Sequence, residues 1–64
     1  MDLTVLFDLA TLIEERKRFL FVIMEKNGLV GIDVLEYETE DAVDGGWYNF
    51  IEAEEFLMSY LEDI

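Results

Sequence analysis

Carboxylates are the only side chains in this 64-residue sequence numerous enough to suggest chemistry: sixteen Asp and Glu stand against four Lys and Arg, with no His and no Cys. Paired carboxylates divide acid and base roles when burial or mutual repulsion separates their pKa values. Most of the acids here sit where a folded chain would expose them. Ser59 is the only serine, and the absence of His and Cys removes the commonest nucleophile and general-base pairings. A domain this short also has little volume for a substrate cleft of roughly 300 Å3 or more. The expectation is a protein that is not an enzyme and carries no cofactor.

A second chemistry open to oxygen-rich loops is Ca2+ binding, and Asp41 to Glu52 has the length of an EF-hand loop. Asp41, Gly46 and Glu52 would fill its first, glycine and last positions. Val43 and Gly45, however, fall where side-chain oxygens are required, so no metal site is expected. Zinc sites built on thiolate or imidazole are excluded by composition.

The third chemistry is imitation of a nucleic-acid backbone. On an extended segment Glu36, Glu38 and Glu40 share one side at roughly 6.6 Å, twice the strand rise per residue. That is comparable with the spacing of phosphates along a nucleic-acid strand, which winds as it advances. Asp33, Asp41 and Asp44 lengthen this row, and Glu52, Glu55 and Glu62 supply a second along a helix. Tyr37, alternating with Glu36 and Glu38, is the aromatic best placed for an interface, where such residues dominate binding energy. Trp47 is expected instead to plug the core. The candidate partner-binding set is therefore Asp33, Glu36, Tyr37, Glu38, Glu40, Asp41, Asp44, Glu52, Glu55 and Glu62.

These acids need a scaffold. The formal charge is −12, a value that with few apolar residues would signal disorder, but 53% of this chain is hydrophobic, with five Phe, three Tyr and one Trp. It can collapse and display its charge. A net charge of about 2 to 8 suffices to keep a small domain soluble, so an excess of one sign points to a positively charged partner.

The scaffold is expected to be one compact α+β domain over residues 1–64: an N-terminal helix, a β-hairpin with the option of a short third strand, and a C-terminal helix packed on a small antiparallel sheet. Thr4, Asp8, Thr11 and Glu15 form one polar helical stripe, while Leu3, Leu6, Phe7, Leu9, Ala10, Leu12 and Ile13 cover the rest of the first helix. Arg16, Lys17 and Arg18 complement the negative end of its dipole. Two β-rich runs then flank Asn27-Gly28, the strongest short hairpin signal. A two-residue loop sets Lys26 opposite Leu29, Met24 opposite Gly31, Ile23 opposite Ile32, Val22 opposite Asp33 and Phe21 opposite Val34.

Phe21, Ile23, Val30, Ile32 and Val34 then line a core face. The other face, with Leu20, Val22, Met24 and Leu35, is too apolar for open water, so either a helix or a second copy of the chain is expected to cover it. Residues 36–46 read as strand end running into loop, with Trp47 and Tyr48 as the optional third strand. Asn49 and Glu52 form a capping box for the last helix. Its apolar positions are Phe50, Ala53, Phe56, Leu57, Tyr60, Leu61 and Ile64, and Glu52, Glu55, Ser59 and Glu62 face outward.

No basic segment follows Met1, and the longest apolar run, Phe19 to Met24, is far shorter than the roughly 20 residues a membrane helix needs. A cytoplasmic protein without membrane contact is expected, and a surface this negative does not bind nucleic acid directly.

The short, Cys-free chain with the acidic run Glu36-Tyr37-Glu38-Thr39-Glu40-Asp41 resembles phage-encoded inhibitors of host defence, particularly the anti-CRISPR proteins that act as DNA mimics. That resemblance implies an inhibitor occupying the basic groove of a CRISPR effector inside an infected bacterium, with the PAM-reading subunit as one target. The alternative is an acidic binding module such as an antitoxin or immunity-like protein that neutralises a basic partner.

A charge of −12 on one small scaffold makes neighbouring carboxylates repel. Moderate NaCl is expected to raise the melting temperature by screening. Thermal melts across a salt series check this, and a steady fall would show that the acids are mostly paired.

Overall fold

The computed structural model describes residues 2–17 and 19–62. Helix α1 (Thr4–Arg16) is followed by strands β1 (Phe19–Lys26), β2 (Leu29–Glu36) and β3 (Ala42–Tyr48) and by helix α2 (Phe50–Glu62). The strands form an antiparallel meander in the order β1-β2-β3, so the expected α+β architecture holds with a full third strand.

Asn27 and Gly28 both adopt positive φ, 55° and 78°, as a type I′ turn requires. The β1–β2 register is the one expected from that turn, from Lys26 opposite Leu29 through Phe21 opposite Val34 and on to Phe19 opposite Glu36. Period-two alternation does the rest. Val30, Ile32 and Val34 point to one face and are fully buried against Leu6 and Ile13 of α1 and Ala53 and Leu57 of α2. Phe21 and Ile23 of β1 pack at the margin of this cluster. Both helices thus lie on the same side of the sheet.

Three sequence expectations are corrected. The third strand is Ala42–Tyr48, beginning well before Trp47, and it contains both Gly45 and Gly46. Glycine disfavours strands, but here each lies beside a large aromatic or a close backbone. A Cβ on Gly45 would stand 2.8 Å from the Ile32 carbonyl oxygen, and one on Gly46 would stand 2.8 Å from the Tyr48 hydroxyl. Secondly, residues 37–39 form a turn, so Glu36, Glu38 and Glu40 are not spaced along an extended segment.

Thirdly, Trp47 is no core plug: it pairs with Gly31, points away from both helices and is 52% exposed. Of the two covers expected for the second sheet face, no described helix supplies one, and Val22 and Met24 remain 42% and 46% exposed.

The helix ends follow local chemistry. At α2 the capping box forms as expected, the Glu52 amide donating to Asn49 Oδ1 at 2.8 Å and the Asn49 amide donating to Glu52 Oε1 at 3.3 Å. At α1, Asp2 Oδ1 accepts from the Thr4 hydroxyl at 2.6 Å and the Thr4 amide at 2.9 Å, which holds the Asp2 carboxyl below its usual range. Arg16 closes the last turn, and the Lys17 amide donates to the Ile13 carbonyl at 2.7 Å. Arg18 and Ile64 lie outside the described residues. The polar stripe of α1 is exposed, but so are Val5, Phe7 and Leu12, because one helix on a three-stranded sheet can bury only one side.

Gly45→Ala should destabilise the protein by about 2 kcal/mol, since the nearest obstacle is backbone that cannot turn aside. Val43→Ala, at an exposed site in the same strand, should change stability by less than about 0.5 kcal/mol. Urea denaturation of both variants measures the difference.

Candidate functional site: an acidic hairpin tip and a second acidic cluster

Five carboxylates occur between Glu36 and Gly46, and the fold divides them between two places. The first is the tip joining β2 to β3. Its backbone is closed by two hydrogen bonds, the Glu40 amide donating to the Glu36 carbonyl at 2.8 Å and the Glu36 amide donating to the Asp41 carbonyl at 2.9 Å. Thr39 braces the interior: its hydroxyl donates to Glu36 Oε2 at 2.6 Å and accepts from the Asp41 amide at 3.3 Å.

Glu40 carries a φ of 60°, a left-handed conformation that costs a side-chain-bearing residue about 1–2 kcal/mol and glycine almost nothing. Tyr37, Glu38, Glu40 and Asp41 are exposed, and Glu36 is half-buried. Four acids therefore sit on a short, closed turn.

The second place is the edge where β3 meets α2. Asp44 faces the helical side of the sheet, opposite Val34, and its Oδ2 accepts from the Tyr60 hydroxyl at 3.0 Å. Tyr60 is held there by edge-on contacts with Phe19, Phe21 and Phe56, whose ring centroids lie 5.4, 5.7 and 5.5 Å away. Tyr48 stacks on Phe56 at 5.0 Å.

Burial first, then the Asp44 hydrogen bond and charge, push the Tyr60 hydroxyl up to about 12. Burial raises Tyr48 as well, followed by the negative charges of Asp44 and Glu52. Asp44 from the first expected row and Glu52 from the second thus act on one tyrosine.

The remaining candidates stand apart. Asp33 projects from β2 on the face opposite the helices. Glu55 and Glu62 are exposed on the outer side of α2 with Ser59, as the helical period requires, but Ile51 and Met58 share that side and are also exposed. The Asp44–Tyr60 link spans two elements and has no local signature. Its only trace in the sequence is the placement of Tyr60 on the inward stripe of α2, where a hydroxyl needs a partner.

No group of three or more acidic residues among the described residues is arranged to hold a metal ion. No helix among them is long and apolar enough to cross a membrane.

Comparison with known proteins places the chain in a family. Residues 1–63 match the model of a family described as a Bacteriophage T4 protein. The chain is also similar to a protein of Enterobacteria phage T4, the "Uncharacterized 7.9 kDa protein in cd-pseT intergenic region". The two are 43% identical over 49 residues, which cover 75% of this chain and 74% of that protein. No solved structure matches. The chain belongs to this family of small phage proteins.

The raised tyrosines give a pH dependence with a definite sign. The unfolded chain loses its phenolic proton near the ordinary value of 10.0, whereas folded Tyr60 keeps its proton until about 12. The native state therefore binds more protons in that interval, and stability falls as pH rises through it. Ultraviolet titration of phenolate should show Tyr48 ionising above the ordinary value and, up at about 12, Tyr60. Asp44→Asn should bring its midpoint down without restoring the ordinary value, because burial remains.

Proposed function

We propose that this member of the phage family is a stoichiometric inhibitor that docks its acidic hairpin tip into a Lys- and Arg-lined nucleic-acid groove of a host protein. The observation that carries this reading is the closed tip itself. A disordered acidic tail would lose conformational freedom on binding, whereas carboxylates on a hydrogen-bonded turn are already ordered. The retention of an acid at Glu40, where glycine would be less strained, is a local cost for which anion display offers a reason.

The charge of −12 supports fast, salt-sensitive association with a basic surface, and Asp44, Glu52, Glu55 and Glu62 extend the negative field beyond the tip. Membership of a phage protein family fits a host defence complex as target. A CRISPR effector, including its PAM-reading subunit, is the specific form of this proposal, because such complexes hold nucleic acid in positively charged channels. The corresponding site of action is the cytoplasm of the infected bacterium.

The corrected geometry changes what mimicry would mean. The tip offers a compact anionic knob able to neutralise a few neighbouring cations, in place of a row of evenly spaced charges. Competition with DNA would come from occupying the groove and lowering its potential.

The test is fluorescence anisotropy of labelled target DNA with a purified effector, titrated with this protein at low and moderate salt. Stoichiometric displacement is expected, weakening as salt rises. Replacing Glu36, Glu38 and Glu40 together with Lys should weaken inhibition at least tenfold, while Glu55→Lys with Glu62→Lys should weaken it less. DNA binding untouched by excess protein would remove that target. Tight binding to a basic protein without DNA competition would favour the immunity-like alternative.

A further inference from the structure

Three cross-strand rows span the uncovered face of the sheet, and Lys26 opposite Leu29 adds a fourth pair beside the β1–β2 turn. Met24, Gly31 and Trp47 form one, Val22, Asp33 and Gly45 the next, and Leu20, Leu35 and Ala42 the third. In the first row the Trp47 ring lies over Gly31, so close that a Cβ there would stand 2.9 Å from two of its carbons. In the second the Asp33 carboxylate leans over Gly45, with Oδ1 3.1 Å from where a Cβ would be. Glycine on one strand thus accommodates the large or charged group on its neighbour. The result is a largely apolar face with one carboxylate at its middle and Lys26 at its turn end. No described residue donates a hydrogen bond to that carboxylate.

Asp33 and Trp47 are diagonal neighbours, since Trp47 is opposite Gly31, two residues before Asp33 on β2. Diagonal pairs on one face lie about 7 Å apart at the backbone, within reach of a single large planar group. An arginine guanidinium can form parallel hydrogen bonds to a carboxylate and also stack on an indole. Lysine, a point charge, gains less from the indole plane, and a neutral group gains nothing from Asp33.

We propose that this outer face is a docking surface for a protein segment presenting an arginine between apolar side chains. In the complex the guanidinium pairs with Asp33 and stacks on Trp47, while the flanking groups cover Val22, Met24 and Leu35. Charge complementarity selects this occupant over a second copy of the chain. A dimer through this face would bring two surfaces of charge −12 into contact, a repulsion that one Lys26 per copy does not offset. The surface is separate from the acidic tip, and the inference does not depend on the tip's role.

Trp47 is the only tryptophan, so its fluorescence reports this face alone. The intact protein is titrated at moderate salt with Ac-Gly-Leu-Arg-Leu-Gly-amide and with analogues carrying lysine or citrulline in place of arginine, followed by Trp47 emission and amide NMR shifts. The arginine peptide should perturb Val22, Asp33 and Trp47, bind at least threefold more tightly than the lysine peptide and at least tenfold more tightly than the citrulline peptide. Asp33→Asn, at an exposed position, should remove most of the arginine preference while leaving the circular dichroism unchanged. The triple Lys variant of Glu36, Glu38 and Glu40 should bind the peptide within about twofold of the parent, which separates this surface from the tip. Equal affinity for the three peptides, shifts confined to residues 36–41, or no response at millimolar peptide would overturn the proposal. Concentration-dependent dimerisation abolished by Met24→Glu would also overturn it, identifying a second copy as the occupant.

Discussion

Burial of β2 between its two neighbours and beneath both helices is the constraint on which this fold depends. Among the described strands it is the only one paired on both sides, and Val30, Ile32 and Val34 are each withdrawn completely from water. Each such side chain contributes about 1.5–3 kcal/mol relative to exposure, a large share for a domain of this length. Helices α1 and α2 do not form independent packing units. They meet over these three residues through Leu6, Ile13, Ala53 and Leu57. With one sheet face used in this way, none of the five elements formed by the described residues remains to cover the other.

Acidic side chains also serve the scaffold directly. The hairpin register leaves the Phe21 amide pointing away from β2, and Glu14 Oε2 of α1 accepts from it at 3.0 Å. On the opposite edge the Gly45 amide is turned outward, and its neighbour Asp44 accepts from it at 2.8 Å. Unpaired edge groups invite another strand, and a charged side chain bound to them discourages it. Part of the negative charge is thus spent on keeping edges closed. Asp44 has two roles, since its other oxygen receives the Tyr60 hydroxyl and ties α2 to β3.

The parts of the fold legible in sequence are those set by local chemistry. Asn27-Gly28 admits one tight turn, and the turn determines every pairing of β1 with β2. The reciprocal hydrogen bonds of Asn49 and Glu52 mark the start of α2 in the same way. Of the third strand only the end, Trp47 and Tyr48, is legible, and its start at Ala42 is not. Gly45 and Gly46 weaken any strand signal, and what holds them in the strand is pairing along β2, while the Ile32 carbonyl and the Tyr48 ring leave no room for a side chain. Placing Glu36 to Glu40 on an extended segment failed for the related reason that the turn is closed by backbone bonds unrelated to side-chain type. Surface placement of the candidate acids follows from their charge, whereas their grouping required β3.

The segment that local rules misread is also the one that shapes both candidate surfaces. β3 turns Asp44 toward Tyr60 and α2, and by the same alternation turns Trp47 outward over Gly31. β-Branched residues favour strands, but at Gly45 and Gly46 their Cβ atoms would stand 2.8 Å from the Ile32 carbonyl oxygen and the Tyr48 hydroxyl. A side chain at Gly45 would also take the space in which the Asp33 carboxylate lies across the sheet. Glycine at these positions goes against local strand preference, and the close approach of the β2 backbone and of Tyr48, which packs against the core, is what requires it. Conflict between local preference and global structure tends to concentrate where a surface has work beyond folding. In this protein the conflict lies in β3, between the acidic tip and the exposed tryptophan.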